Sequence, residues 1–309
     1  MNKKEFRRKI INSSSMVAMS VALALVRILP YSLFSAVIRG GAFLWFTFAK
    51  RLRKIARESL ATAFGDSKTP EEIQKLIRRC FDNVGSGLMD LSFYAVYPQR
   101  VHERFVIENR HYLDEALAQR KGVVLVTAHF GNFPLMLLEL SQLGYPVNVI
   151  LRRARNAKTA EGILGLMNQV NVKTIYSTPP RESVRQSLQV LRNNEILCVL
   201  MDQNFGAGSG VFVDFFGQKA ATATGPFVLA ERTGAVLLPA FNFREGDKYR
   251  LIFEPPVSLE QREDHQEMLV VNVARLTRLI ESYIRRYPAE WGWMHRRWKT
   301  KESPEGGKP

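Results

Sequence analysis

The histidine at position 129 is the side chain of this sequence that is best placed to do chemistry. It follows an apolar, β-branched run at 122–128 and precedes Gly131, and an apolar helical pattern begins at Pro134. Open α/β sheets bind ligands at the carboxyl ends of their strands, which is where this pattern places His129. A neutral imidazole accepts a proton from a hydroxyl near neutral pH. His129 is therefore a candidate general base, and a buried structural histidine is the alternative.

The turn after His129 is suited to an anion. Gly131 permits a tight turn at which a substrate approaches the backbone. Asn132 is a good helix N-cap residue, and Pro134 fits the first helical turn. Because first-turn amides point back toward His129, we expect amides near Gly131 and Asn132 to stabilise a developing oxyanion.

The composition indicates a globular protein with an anionic partner. Of 309 residues, 46% are hydrophobic, which suits one large α/β domain or two small ones. Lys and Arg number 44 against 29 Asp and Glu, giving a net charge of +15, which suits nucleic acid, phospholipid or an acidic protein. No nucleic-acid-binding motif is recognisable, so we expect no nucleic-acid partner. The two cysteines, Cys80 and Cys198, have no metal-ligand spacing, and we expect no metal.

The amino-terminal region is basic and then apolar. Five Lys and Arg residues lie in the first ten positions, and the apolar stretch after them is interrupted by Arg27, Pro30 and Arg39. No window reaches the roughly 20 uncharged apolar residues of a confident transmembrane helix. A pair of core helices is one interpretation. Trp45 and its neighbouring phenylalanines, with basic flanks, favour a monotopic anchor whose catalytic body faces the cytoplasm.

Patterns typical of helices follow this region, and after them patterns typical of strands alternate with patterns typical of helices. Residues 50–120 are predicted to be helical. Beyond them, strands are predicted at 122–128, 146–151, 172–176, 195–201, 235–243 and 248–254, and helices at 134–142, 158–170, 180–193, 223–233 and 264–286. The alternation predicts an α/β fold with a mixed, largely parallel sheet flanked by helices. We expect a membrane-associating segment at 1–49, a catalytic domain at 50–300 and a flexible tail at 301–309.

Several segments together resemble the lipid A biosynthesis acyltransferases of the lauroyl and myristoyl type, which are related to the glycerolipid acyltransferases with a His-x4-acid motif. The segments are HFGNF at 129–133, MDQ at 201–203, GVFVDFFG at 210–217, ATATGP at 221–226, RTGA at 232–235 and YPAEWGWMHRRWK at 287–299. The resemblance covers most of the chain, including its basic and apolar amino end.

The resemblance implies an enzyme that moves a fatty acyl group from an acyl carrier protein thioester to a hydroxyl of a lipid A precursor or similar membrane glycolipid. It implies no cofactor and no metal, with residues 50–300 as the acyltransferase domain. The partners are then an acyl carrier protein and an anionic membrane lipid or glycolipid, at the cytoplasmic face of the cell inner membrane. Acyl carrier proteins are acidic, so the positive charge of the chain suits their docking.

The chain departs from the family pattern at the residue that should orient the histidine. In the family an acid stands five residues after the histidine, and here that position is Pro134. Glu139 is a poor substitute because it lies about 140° around the helix from position 134. Asp202, predicted at the end of another strand, is the candidate orienting carboxylate. The alternative is a catalytically weakened or silent lipid-binding homologue.

The resemblance and the spacing also predict substrate-binding residues. The set is Gly131, Asn132, Arg152, Arg153, Gln203 and Arg296. By the resemblance, Arg152 and Arg153 grip a phosphate with their guanidinium forks, and a solvated loop cluster is the alternative.

Aromatic residues near the carboxyl end have more than one interpretation. The phenylalanines at 212, 215 and 216 either line an acyl-chain groove or belong to the core. The tryptophans at 291, 293 and 298, with His295, Arg296 and Arg297, lie at a membrane interface, lie beside acceptor phosphates or form a capped basic patch.

Overall fold

A computed structural model of the protein describes residues 25–152, 171–206 and 210–302. The predicted helix at 158–170, Arg153 and most of the predicted amino-terminal segment and tail lie outside the described residues.

Helices and strands alternate along most of the described chain. The helices are α1 (Tyr31–Phe48), α2 (Lys50–Phe64), α3 (Pro70–Val96), α4 (His111–Ala118), α5 (Phe133–Gln142), α6 (Pro180–Arg192), α7 (Gly225–Thr233) and α8 (His265–Arg286). The strands are β1 (Phe105–Glu108), β2 (Val123–Thr127), β3 (Val147–Leu151), β4 (Lys173–Tyr176), β5 (Ile196–Leu200), β6 (Gly210–Phe215), β7 (Gln218–Ala223), β8 (Val236–Glu245) and β9 (Lys248–Phe253).

The main sheet is mixed and largely parallel, which confirms the predicted fold class. In the described residues it has seven strands in the order β1-β9-β8-β2-β5-β3-β4, and only the β8–β9 pair is antiparallel. Strand β2 lies at its centre, and all five of its residues are buried. A strand that is covered by helices on both faces has a continuous apolar sequence, because both rows of its side chains are buried. The sequence before His129 has this pattern.

Strand β1 corrects the expectation that residues 50–120 are helical throughout. Phe105–Glu108 pairs in parallel with Tyr249–Ile252 at the edge of the sheet. A four-residue strand is too short to show a period in sequence, and its partner lies more than 140 positions away.

A separate hairpin, β6–β7, is tied to the rest of the fold by Arg297. This guanidinium is fully buried and donates to the carbonyl oxygens of Gln203 and Ala221 and to the hydroxyl of Thr222. Its burial lowers the pKa of Arg297 to about 10. Phe215 of the hairpin is also buried, at 5.5 Å from the ring of Trp291, so it belongs to the core.

Three side chains of the closing segment lie inside the protein, so for them the alternative of a membrane interface is wrong. Trp291, Trp293 and Arg297 are each 0% exposed. Both indoles have internal acceptors for their N–H groups, Asp202 for Trp291 and the Pro288 carbonyl for Trp293. A paired indole N–H removes the main cost of burying a tryptophan.

Helix α1 packs on α3 and leaves apolar side chains uncovered. Phe34 is fully buried, whereas Leu33, Val37, Phe43, Leu44 and Phe48 are between 46% and 78% exposed. Helix α2 follows at an angle of 78°. Taken singly, no helix of the described chain has the length and apolarity to cross a membrane, while α1 and α2 counted together meet that test of length and composition.

We expect Arg297→Met to lower the free energy of unfolding by about 2–4 kcal/mol, because it removes charge-assisted hydrogen bonds and leaves buried acceptors without donors. Arg296→Met is the matched control, since Arg296 is exposed and surface changes cost about 0.5 kcal/mol or less. Urea unfolding followed by tryptophan fluorescence measures both. Equal destabilisation by the two substitutions would contradict the role assigned to Arg297.

Candidate active site

The sheet register brings His129 and Asp202 together. Thr127 of β2 pairs with Leu200 of β5, and both strands run in the same direction. His129 and Asp202 each lie two residues beyond that pair, so they leave the same edge of the sheet side by side. The Nδ1 atom of His129 is 2.9 Å from Oδ1 of Asp202.

The Asp202 carboxylate is buried and ionised. Burial alone raises its pKa, but the charges of His129 and His295 and the hydrogen bonds from His129 and Trp291 outweigh that effect. The pKa of Asp202 therefore lies well below its usual range. An ionised carboxylate only accepts hydrogen bonds, so Nδ1 of His129 carries a proton, and in the neutral form of the imidazole the lone pair is then on Nε2.

Trp291 fixes the second oxygen of the same carboxylate. Its indole Nε1 donates to Oδ2 of Asp202 at 2.7 Å, and its ring packs edge-on against Trp293 at 4.5 Å. Both oxygens of Asp202 thus have a donor, which prevents the carboxylate from rotating away from His129. The sequence analysis placed Trp291 at a membrane interface, beside acceptor phosphates or in a capped basic patch, and did not associate its indole with Asp202.

The Gly131 amide does not serve the predicted oxyanion role. A short antiparallel bridge joins Phe130 to Trp291, in which the Gly131 N–H donates to the Glu290 carbonyl at 2.9 Å and the Gly292 N–H donates to the His129 carbonyl at 3.0 Å. The expectation for Gly131 is therefore wrong, because its donor is already used. The amides of Asn132 and Phe133 have no acceptor among the described residues, and they remain available at the start of α5.

Gly131 is required for the close approach of two segments of the chain. Its φ is +58°, and a Cβ atom there would lie 1.9 Å from the carbonyl oxygen of Asn242 on β8. Only glycine meets both conditions. Its role is to let the turn after His129 pack against β8.

Asn132 caps α5 and anchors it to α3. Its Oδ1 accepts from the Leu135 N–H at 3.3 Å, and its Nδ2 donates to the Gly87 carbonyl at 2.9 Å. Pro134 lies in the first turn of the helix and brings no polar group to the histidine. Glu139 contacts Nδ1 of His102 at 2.9 Å instead, so it does not orient His129.

An apolar groove of about 380 Å³ opens beside His129. Its apolar lining is Val84, Leu88, Leu91, Phe133, Pro134 and Met294, and its polar lining includes His129, Asn132, Gln203 and His295. Val84 and Leu88 of α3 are 42% and 51% exposed. His129 thus lines a largely apolar surface of the kind that binds hydrocarbon chains.

His295 adds a second imidazole to this groove. Its Nδ1 is 2.8 Å from the Gly292 carbonyl, which requires the proton on Nδ1, and its Nε2 is buried with no hydrogen-bond partner among the described residues. Burial lowers the pKa of His295. A neutral His295 therefore has an unpaired acceptor atom, Nε2, buried beside the groove. The sequence signal for His295 was its position in the segment at 287–299, which resembles a segment of the family.

The remaining predicted binding residues are less closely associated with the groove. Gln203 lines it, whereas Arg152 and Arg296 are exposed and do not line it. Arg153 lies outside the described residues. The binding roles of these residues stay predictions. In the part of the chain that the structure describes, no three His, Cys, Asp or Glu side chains cluster in a way that holds a metal ion.

Comparison with known proteins gives the family. The profile of the bacterial lipid A biosynthesis acyltransferases matches residues 2–300. Similar proteins include the lipid A biosynthesis lauroyltransferase of Escherichia coli K12, at 28% identity over 92% of this chain and 90% of that protein. The palmitoleoyltransferase of the same organism is 28% identical over 82% of this chain and 81% of its own length. A phosphatidylinositol mannoside acyltransferase of Mycobacterium tuberculosis is 26% identical over 62% of this chain and 60% of its own length.

These matches, with the mixed sheet and its His–Asp pair, define an acyltransferase. The chain belongs to the bacterial lipid A biosynthesis acyltransferase family, as its motifs predicted.

The depressed pKa of Asp202 has a consequence for stability. A carboxyl whose folded pKa lies below its unfolded pKa stabilises the fold above about pH 4, and this stabilisation is lost as the pH falls toward the folded pKa. Asp202→Asn should therefore lower the free energy of unfolding most near neutral pH, with a difference from the parent protein that shrinks on acidification. Urea unfolding at a series of pH values measures it.

Asp214→Asn is the control for that series, because the Asp214 side chain is 71% exposed. Its effect should be small at every pH. A difference between the parent protein and Asp202→Asn that does not change with pH would contradict the depressed pKa.

Proposed function

We propose that this protein transfers a fatty acyl group from an acyl carrier protein thioester to a hydroxyl of a lipid A precursor, with His129 as the general base. The observation that carries the proposal is the contact of 2.9 Å between His129 and the buried Asp202 at the mouth of an apolar groove. Family membership supports the acyl transfer and the type of acceptor.

The proposed reaction begins when Nε2 of His129 takes the proton of the acceptor hydroxyl. The hydroxyl oxygen then attacks the thioester carbonyl, and the negative charge moves to the carbonyl oxygen. The free amides of Asn132 and Phe133 at the start of α5 are the donors for this oxyanion. When the intermediate collapses, the carbon–sulfur bond breaks and the imidazolium of His129 returns the proton to the departing sulfur. The products are an ester and a free thiol.

Asp202 takes over the task that the family motif gives to the acid at the position of Pro134. It holds the proton on Nδ1 of His129 and stabilises the imidazolium that forms during attack, as the aspartate does in serine hydrolase triads. The substitution at Pro134 therefore leaves the histidine with an orienting carboxylate from a neighbouring strand.

The activity assay combines purified protein, labelled acyl carrier protein and a lipid A precursor. We expect His129→Ala to lower the rate by at least about 10²-fold and Asp202→Asn to lower kcat by about 10²–10⁴-fold, because the imidazole then loses its tautomer and its counter-charge. His111→Ala is the control, since His111 is exposed on α4 and should leave the rate unchanged.

The same assay distinguishes the second candidate function, a silent lipid-binding homologue, which Pro134 motivates. That function predicts acceptor binding without transfer in the parent protein. Transfer that persists unchanged in His129→Ala would instead contradict the role of His129 as the general base, although the protein would still be an acyltransferase.

We also infer that the exposed apolar side of α1 lies in the surface of the cell inner membrane, on its cytoplasmic face. The exposed side chains of α1 precede Lys50 and Arg51 at the start of α2, an arrangement that suits acyl chains beside anionic head groups. A protein held there receives its acceptor from the bilayer and its donor from the cytoplasm.

Sedimentation with vesicles tests this location. The double variant Phe43→Ser/Leu44→Ser should bind phosphatidylglycerol vesicles about tenfold more weakly, because both side chains lose apolar burial. The control Val106→Ser/Val184→Ser changes two apolar, exposed residues away from α1. Equal loss of binding in the two double variants would argue against α1 as the membrane contact.

A further inference from the structure

Three arginines from separate elements converge on one cavity near the active site. Arg79 of α3, Arg244 of β8 and Arg286 of α8 line a space of about 150 Å³ together with residues 287–290. We call this space the arginine cavity. The guanidinium of Arg286 lies over the ring of Tyr287, at 5.3 Å from its centroid.

Glu290 is the carboxylate nearest to this cluster, and the charges of Arg79 and Arg244 act on it. Within the described ranges, none of the three guanidinium groups forms an ion pair, and Nε of Arg244 donates to the Gly246 carbonyl at 3.2 Å. Uncompensated like charges in a concave surface repel one another. The arrangement is favourable when an anion occupies the space between them.

Glu290 is the acid of this cavity, and its oxygens already have donors. Its Oε1 accepts from Nδ2 of Asn83 at 2.7 Å, and its Oε2 accepts from the main-chain N–H of Arg244 at 3.3 Å. Burial raises the pKa of Glu290, and the charges of Arg244 and Arg79 oppose that rise. Three guanidinium charges less one carboxylate leave a formal charge of +2.

A phosphate group fits this charge and donor set better than a carboxylate does. A phosphomonoester carries between −1.5 and −2 at neutral pH and offers three acceptor oxygens, one for each guanidinium fork. A carboxylate would neutralise half of the charge and occupy one fork.

The arginine cavity shares lining residues with a smaller cavity that His129 also lines. The smaller cavity has a volume of about 50 Å³, and its lining includes His129, Asn132, Arg244 and Glu290. Asn83 and Val84 of α3 line both this smaller cavity and the apolar groove. A substrate with a hydrocarbon part and an anionic part thus finds both surfaces within reach of His129.

We propose that the arginine cavity binds a phosphate group of the acceptor lipid and thereby presents the acceptor hydroxyl to His129. This assignment rests on the proposed function. It differs from the expectation for Arg152 and Arg153, because Arg152 directly follows β3, at another part of the sheet edge.

Steady-state kinetics of the full-length protein test the proposal with a charge-matched pair of variants. Arg79→Gln/Arg286→Gln removes two guanidinium groups from the cavity. Arg78→Gln/Arg285→Gln removes two neighbouring ones outside it, since Arg78 lies over the Phe43 ring and Arg285 pairs with Glu281. Both variants carry the same net charge, so any general effect on anionic substrates is equal.

We expect the cavity variant to raise the KM for the phosphorylated acceptor by about ten- to a hundredfold, through loss of charge-assisted hydrogen bonds. The KM for the acyl donor and the kcat at saturation should stay as in the control variant. With an acceptor treated with phosphatase, the two variants should have the same KM. An unchanged acceptor KM overturns the proposal, and so does a rise in the donor KM, which would assign the phosphate to the donor's carrier arm.

Binding of the same two acceptors to His129→Ala, measured by calorimetry in detergent, separates this proposal from the proposed function. Tighter binding of the phosphorylated acceptor that depends on Arg79 and Arg286 supports the site even if the parent protein transfers no acyl group. Equal binding of the two acceptors overturns the site even if transfer is observed.

Discussion

The buried charge of Asp202 is the constraint around which this active site is built. A carboxylate taken out of water costs several kcal/mol unless donors replace the lost hydration. Here His129 and Trp291 supply one donor to each oxygen, so the ion, the imidazole and the indole are fixed relative to one another. The strand register places the first two, and the closing segment must supply the third.

The indole donor reaches Asp202 because the carboxyl-terminal segment passes through the core. Its bridge to Phe130 positions Trp291 over Asp202, and four residues further on His295 reaches the groove. Arg297 then ties the segment to the β6–β7 hairpin through buried carbonyl groups. Residues that resemble a basic, aromatic membrane anchor in sequence are thus the inner wall of the site.

Helix α3 gives the site its two-sided character. Val84 and Leu88 face the apolar groove, whereas Arg79 and Asn83 contribute to the arginine cavity and the passage toward it. An amphiphilic acceptor requires such a division, because its hydrocarbon and its anionic groups cannot share one lining. With the apolar side of α1 exposed near this helix, the proposed substrate and the proposed membrane contact belong to one surface.

The sequence by itself indicated most of the elements and singled out His129 as the candidate base. Apolar runs and caps are local properties, so the strand before His129, the helix capped by Asn132 and the largely parallel sheet were predictable, as was the family from its joint motifs. Strand β1 was missed because its pairing is non-local. Tertiary structure alone decided that Asp202 meets His129, that Trp291 holds the carboxylate and that the Gly131 amide is occupied. Each of these is a contact between residues 70 to 160 positions apart, and only strand register and chain threading fix such distances.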